Sequence, residues 1–159
     1  MKSGKNTSSK KFDSKNHPDI KKYNIGIVVS EWNNDITKNL LSGAIDTLTQ
    51  QGVQKENIFI QWVPGSFELI FGSKVLSKKE FDVIIAIGCV IKGETDHYDY
   101  ICSSVSHGIM QLNLTSSMPV IFCVLTDHNK QQSIDRSGGK YGNKGVECAF
   151  AALQMLSIK

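Results

Sequence analysis

Three side chains able to transfer protons or bind anions stand together at Thr95, Asp96 and His97. They follow an apolar, β-branched run and a glycine-containing turn. The run has no polar alternation and predicts a strand buried on both faces of a parallel sheet. An amphipathic segment begins directly after them, so the three groups lie where a strand gives way to a helix. This arrangement suits an anion-binding and proton-transfer site. The alternative is an ordinary turn in which Thr95 or Asp96 only caps the helix.

Strand and helix patterns alternate four times along the chain. Apolar runs predict strands at residues 25–30, 58–63, 83–91 and 120–125. Helical spacing of apolar residues predicts five helices: residues 35–51, a segment that begins at Ser66, and residues 98–116, 130–136 and 146–156. Asn33 or Asn34 is a candidate cap for the first helix. The glycine-rich residues 137–145 read as a connector. Such alternation predicts an α/β protein, a three-layer α/β/α sandwich with a four-stranded parallel sheet of flavodoxin-like type.

Parallel sheets of this kind bind ligands outside the carboxyl ends of their strands, near the point where strand order reverses. Two side chains at these ends have both a structural and a functional interpretation. Trp32 follows the first strand and would either fill the core or stack on a planar ring. Glu68, after the Pro64-Gly65 break, would either be solvated or accept hydrogen bonds from substrate hydroxyls.

Arg136 and Lys144 bracket the glycine-rich connector. They are either part of a plain helix connection or two cations suited to a phosphate, which an arginine binds through two parallel hydrogen bonds.

Several kinds of site lack sequence support. No dinucleotide-binding glycine motif, P-loop, nucleophile elbow or metal-ligand cluster occurs, so we expect no metal and no cofactor. The four cysteines, Cys89, Cys102, Cys123 and Cys148, are widely spaced, and three of them lie in apolar strand or helix contexts where a free thiol behaves as a small apolar side chain. This pattern favours a reducing compartment. No apolar run approaches the ~18–20 residues of a membrane span, so we expect a cytoplasmic protein without membrane contact.

The charge of the chain is unevenly distributed. Residues 1–22 carry seven Lys against Asp13 and Asp19, a balance of +5, whereas residues 23–159 carry eleven basic and thirteen acidic groups, a balance of −2. We therefore predict a basic, flexible tail over residues 1–22 and one domain over 23–159. The tail reads as a solubilising arm, and we expect no nucleic-acid partner.

Four segments, in order, resemble a known family. They are Ile25 to Asn33, Trp62-Val63-Pro64-Gly65-Ser66-Phe67-Glu68, Gly88 to Tyr100, and Asn143-Lys144-Gly145. Together they are similar to the 6,7-dimethyl-8-ribityllumazine synthases of riboflavin biosynthesis. The resemblance covers residues 23–157 and implies condensation of 5-amino-6-ribitylaminouracil with 3,4-dihydroxy-2-butanone 4-phosphate, releasing phosphate and water.

The resemblance also implies roles for individual residues. His97 would be the general acid/base, and Trp32 would stack on the pyrimidine. The remaining contacts would be Ser66, Phe67 and Glu68 to the ribityl chain, Cys89, Val90 and Ile91 to the uracil mainly through backbone atoms, and Glu94, Thr95 and Arg136 to the phosphate. Phe122 would reach the site of a neighbouring subunit. Lys92 and Glu94 depart from frequent family choices, an arginine and a small residue respectively.

The family builds pentamers, and many members assemble twelve pentamers into a shell. The connector at residues 137–145 has no long insertion and resembles that of shell-forming members, so we expect at least a pentamer and a sixty-subunit shell. Two rival interpretations remain at this stage: a flavin- or lumazine-binding module without turnover, and a shell-forming scaffold whose catalysis is incidental.

Overall fold

The computed structural model describes residues 12–13 and 17–158. A short 3₁₀ helix, Pro18–Lys22, precedes the first strand. The strands of the main sheet are β1 Ile25–Ser30, β2 Ile58–Val63, β3 Val83–Ile91 and β4 Val120–Asp127. The helices are α1 Asn34–Gln50, α2 Leu69–Leu76, α3 His97–Thr115, α4 Lys130–Arg136 and α5 Lys144–Leu156. A two-stranded ribbon, β5 Ser137–Gly139 and β6 Gly142–Asn143, lies between α4 and α5.

The main sheet is parallel throughout, with the strand order β2-β1-β3-β4. The chain moves from β1 outward to β2 and then returns past β1 to β3, so strand order reverses between β1 and β3. Their pairing runs from Ile25 opposite Val83 to Val29 opposite Ile87 and stops there, whereas β3 continues against β4 as far as Ile91 opposite Asp127. The sheet therefore opens between β1 and β3 at its carboxyl edge.

Two apolar layers cover the sheet. Alternate residues of β1 and β3, such as Ile27 and Ile85, pack with α1 and α5, while Val28, Ile84 and Ala86 face α2 and α3. Gly145 lets α5 approach α1 closely, because a Cβ atom there would collide with the carbonyl oxygen of Leu40. The three-layer sandwich with a flavodoxin-like parallel sheet is confirmed.

The strand predictions at 25–30 and 58–63 and the helix at 130–136 agree with the structure residue for residue. Two local expectations were wrong. The connector at 137–145 contains the β5–β6 ribbon. The second helix begins at Leu69, and Ser66 to Glu68 form a turn before it. The candidate cap Asn33 does occupy the N-cap position of α1, but its side chain makes no capping hydrogen bond.

Within the described residues, no helix has the length and apolar character needed to cross a membrane. Residues 1–11 and 14–16 lie outside the described residues, and with them most of the predicted basic tail.

Candidate active site

An open cleft of about 780 Å³ lies at the carboxyl edge of the sheet, where β1 and β3 separate. It brings together nine of the thirteen predicted site residues: Trp32, Ser66, Phe67, Glu68, Cys89, Val90, Ile91, Thr95 and His97. Three loops and the end of β3 supply them. The strand ends therefore converge as a doubly wound sheet requires.

The loop after β1 presents Trp32 to the cleft. The backbone N–H groups of Glu31 and Trp32 donate to the carbonyls of Val63 and Pro64, at 2.8 and 3.1 Å, so the loop continues alongside the end of β2. The side chain of Trp32 is 72% exposed, which rules out the interpretation of this residue as core filler. An exposed indole held on a fixed backbone can stack on a flat ring.

The turn from Ser66 to Glu68 forms a second wall. Ser66 is buried, and its hydroxyl has no hydrogen-bond partner among the residues that the structure describes. A buried hydroxyl without a partner is costly, so the Ser66 hydroxyl suits a polar ligand atom in the cleft. The Phe67 ring and the Glu68 carboxylate are exposed beside it, so this wall offers one apolar surface and two polar groups.

The end of β3 forms the floor of the cleft and connects to a buried polar chain. The Cys89 thiol donates to the Ser133 hydroxyl at 3.4 Å, and that hydroxyl donates to Asp127 Oδ2 at 2.7 Å. Burial raises the pKa of the Cys89 thiol to about 11, and the Ser133 hydrogen bond only partly opposes this. Cys89 is therefore a neutral thiol at physiological pH and is unsuited to nucleophilic attack.

The start of α3 supplies the polar end of the cleft. His97 is the first residue of this nineteen-residue helix, and its imidazole is exposed at the cleft. Asp96 occupies the N-cap position without a capping bond from its side chain, so it does not play the purely structural role considered above. The free N–H groups and positive dipole end of a helix attract anions to this position, next to Thr95.

The other four predicted residues do not line the cleft. Glu94 is exposed beside it, and Phe122 lies in the middle of the edge strand β4 with 37% of its surface exposed. Arg136 ends α4, and Lys144 begins α5, where its ammonium pairs with Glu147 Oε2 at 2.7 Å. Within one chain, therefore, no arginine lines the candidate site.

The cleft also contains residues that the sequence analysis did not select. Tyr98 and Ile101 line it from the first turns of α3, and Lys92 Nζ lies 5.8 Å from the centre of the Tyr98 ring. The spacing of four residues between His97 and Ile101 was the available signal for Ile101, whereas Tyr98, next to His97 in the chain, had no such signal. Ser133 and Asp127 carried no such signal, because they meet Cys89 only through the fold.

A flavodoxin-like sheet with an exposed indole, a buried hydroxyl, a carboxylate and an imidazole at its switch point belongs to the class of α/β proteins that bind small molecules at this edge. Comparison with known proteins narrows this class. The family described as 6,7-dimethyl-8-ribityllumazine synthase matches residues 22–159. The chain therefore belongs to the 6,7-dimethyl-8-ribityllumazine synthase family. The enzymes of this family are transferases that form the lumazine in riboflavin biosynthesis.

Curated relatives of that name agree over nearly their whole length. The protein of Parabacteroides distasonis is 52% identical over 148 residues, covering 92% of this chain and 92% of the relative. That of Flavobacterium psychrophilum is 51% identical over 156 residues, covering 97% and 82%. That of Christiangramia forsetii is 52% identical over 151 residues, covering 93% and 89%.

Proposed function

We propose that this chain condenses 5-amino-6-ribitylaminouracil with 3,4-dihydroxy-2-butanone 4-phosphate in the cleft at the carboxyl edge of its sheet, as in the penultimate step of riboflavin biosynthesis. The products are 6,7-dimethyl-8-ribityllumazine, phosphate and water. The observation that carries the proposal is the convergence of Trp32, the Ser66–Glu68 turn, the end of β3 and His97 on one cleft.

The pyrimidine would lie against the exposed Trp32 indole, with its polar edge toward the backbone of Cys89, Val90 and Ile91. Its ribityl chain would extend along the turn that begins at Ser66, whose unpartnered hydroxyl and nearby Glu68 carboxylate can bind sugar hydroxyls. Orientation by these groups matters because holding two reactants in place supplies much of the acceleration of a bimolecular reaction.

The phosphate of the four-carbon substrate would lie at the start of α3. Thr95 offers a hydroxyl, the helix offers backbone N–H groups, and the exposed Lys92 offers a positive charge. Glu94 is exposed beside the cleft and does not line it, whereas Gly93 and Thr95 on either side do, so any contact of Glu94 with the phosphate would be made by its backbone N–H.

His97 would move the protons. The 5-amino group of the uracil attacks the ketone of the sugar phosphate, and the resulting carbinolamine loses water to form an imine. A proton then leaves the carbon beside the imine, and phosphate leaves with the pair of electrons of its C–O bond. The resulting enol becomes a ketone, and the nitrogen that carries the ribityl chain attacks this ketone and closes the ring with loss of a second water. Each of these steps transfers protons. An imidazole exposed at the cleft next to the phosphate position can give and take these protons.

Arg136, Lys144 and Phe122 would come from a neighbouring subunit. None of them lines the cleft of its own chain, although all three are predicted site residues. The chain also exposes large apolar side chains on β2, α2 and α3: Phe59, Ile60, Phe71, Val75, Met110 and Leu114. Extended apolar surface of this kind is typical of subunit interfaces.

The assembly would be a ring of five with a site at each interface, and twelve rings would form a sixty-subunit shell. A ring requires a head-to-tail contact in which one surface meets a different one, as a site shared between two chains demands. Three buried cysteines without disulfides fit a cytoplasmic location for this assembly.

Mixed assemblies test the shared site. His97→Ala and Arg136→Ala chains are unfolded together and reassembled, and lumazine formation is followed by absorbance. The sugar phosphate is kept below its wild-type KM, where the lower kcat of His97→Ala and the raised KM of Arg136→Ala each leave little activity. If His97 and Arg136 serve one site from different chains, about a quarter of the interfaces regain both groups, and activity returns to about that fraction. No recovery would show that one chain carries both groups. A wild-type mixture treated in the same way is the control for reassembly.

A further inference from the structure

Asn33 has an unusual backbone conformation at the edge of the cleft. Its φ of 56° and ψ of 47° make it the one non-glycine residue with positive φ among those the structure describes. Asparagine tolerates this left-handed region better than most residues, but the conformation still has to be stabilised by its surroundings.

The side chain of Asn33 does not cap the helix that it precedes. Two helix N–H groups, of Ile36 and Thr37, donate to its backbone carbonyl instead, at 2.9 and 3.1 Å. Its carboxamide Nδ2 donates to the carbonyl oxygen of Cys89, 3.0 Å away on β3. The asparagine thus forgoes the usual capping bond and makes a contact across the sheet.

This hydrogen bond joins two walls of the cleft beyond the point where the sheet opens. The β1–β3 ladder ends at Val29 and Ile87. Among the described hydrogen bonds, the backbone N–H groups of Glu31 and Trp32 donate to the end of β2, at Val63 and Pro64, and not to β3. Of the contacts described between the loop and β3, Asn33 makes the hydrogen bond that reaches the floor of the cleft.

We infer that Asn33 is a positioning residue that sets the gap between the Trp32 indole and the Cys89–Ile91 segment. The inference rests on the proposed placement of the pyrimidine in that gap. Two properties are required together: tolerance of positive φ and an amide donor. Glycine has only the first property. Aspartate has nearly the shape of asparagine and the same tolerance, but an ionised carboxylate cannot donate to a carbonyl.

The inference predicts a selective effect on one substrate. The phosphate position lies on the separate loop before α3, which Asn33 does not contact in any described interaction. Loss of the Asn33 bond should therefore impair pyrimidine binding and leave binding of the four-carbon phosphate nearly unchanged. A merely structural role would lower thermal stability and affect both substrates equally.

The test compares Asn33→Asp and Asn33→Gly with the wild-type enzyme in steady-state kinetics. We expect the KM for the ribitylaminouracil to rise about fivefold in Asn33→Gly, as for the loss of one hydrogen bond. Asn33→Asp should raise this KM at least about tenfold, because a carboxylate oxygen would then face the carbonyl oxygen of Cys89. The KM for the sugar phosphate should change less than about twofold in both. In a Trp62→Phe background, Trp32 is the only tryptophan. The quenching of its fluorescence by bound lumazine should weaken in the same variants in which the KM for the pyrimidine rises.

Trp32→Ala separates this inference from the proposed function. If Trp32→Ala raises the KM for the pyrimidine and both Asn33 variants leave it unchanged, the positioning role is overturned and the site stands. Equal rises for the two substrates in the Asn33 variants also overturn it. If Trp32→Ala leaves that KM unchanged, the proposed placement of the pyrimidine is wrong, and the inference fails with it.

Discussion

Gly88 is the spacer that allows the Ser66 wall to approach β3, and Gly88→Ala should disturb the cleft more than the fold. A Cβ atom at Gly88 would lie 2.7 Å from Ser66 Oγ and 2.8 Å from Leu69 Cδ1. Restoring an ordinary contact of 3.4 Å to Ser66 requires a movement of about 0.7 Å, the difference between the two distances. Overpacking costs about 1–3 kcal/mol, and replacing a strand glycine by alanine returns about 0.5–1 kcal/mol. The free energy of unfolding should therefore fall by no more than roughly 2.5 kcal/mol.

The larger effect should be on turnover. Ser66 begins the turn that carries Phe67 and Glu68, and a displacement near 1 Å in a positioned site can cost about 10²-fold in rate. We expect kcat/KM of Gly88→Ala to fall about 10- to 100-fold. Gly93→Ala is the control for stability, because a Cβ there meets no atom within 4 Å. Unfolding by denaturant at one fixed protein concentration and steady-state kinetics measure the two effects. Wild-type kcat/KM in Gly88→Ala would refute the assignment of Gly88 as a spacer.

Four further predictions address the chemistry and the assembly. His97→Ala should lower kcat about 10²-fold, at the lower end for general acid–base catalysis because water reaches the exposed imidazole; an unchanged kcat would remove His97 from the mechanism. Arg136→Ala should raise the KM for the sugar phosphate about 10- to 100-fold and leave that for the pyrimidine within about twofold, whereas equal increases would indicate a structural role. Burial raises the pKa of the Cys89 thiol from 9.0 in the unfolded chain to about 11 in the folded chain. The unfolded state therefore loses this proton at lower pH, and the contribution of Cys89 to the free energy of unfolding is full below pH 9 and declines as the pH rises toward 11. The difference in free energy of unfolding between wild type and Cys89→Ala should decrease by on the order of 2 kcal/mol as the pH rises across this interval. A difference that does not change with pH would show that burial does not raise the pKa of this thiol. Sedimentation in moderate salt should show a sixty-subunit species; a species near five chains would exclude the shell, and an active monomer would exclude the shared site.

Much of the cleft could be predicted from local sequence patterns. An apolar strand shortly precedes each of Trp32, the Ser66–Glu68 turn and His97. Because the carboxyl ends of parallel strands share one edge of the sheet, these residues must lie at that edge. The type of sheet was also accessible, since four alternations of strand and helix with short connections admit few arrangements. The β5–β6 ribbon was missed because its strands are two or three residues long and glycine-rich, without the alternation that marks a strand.

The amino-acid pattern alone was enough to define the strands, the α/β class, and the groups available for binding and proton transfer, because these depend on residues close together in the chain. The strand order and the opening between β1 and β3 depend on pairing between distant segments. So do the hydrogen bond from Asn33 to Cys89, the chain from Cys89 through Ser133 to Asp127, and the separation of Arg136 from the cleft. Asn33 shows the physical reason. Its sequence position favours a helix cap, but packing brings the carbonyl of Cys89 within reach of its amide, and the contact across the sheet replaces the cap.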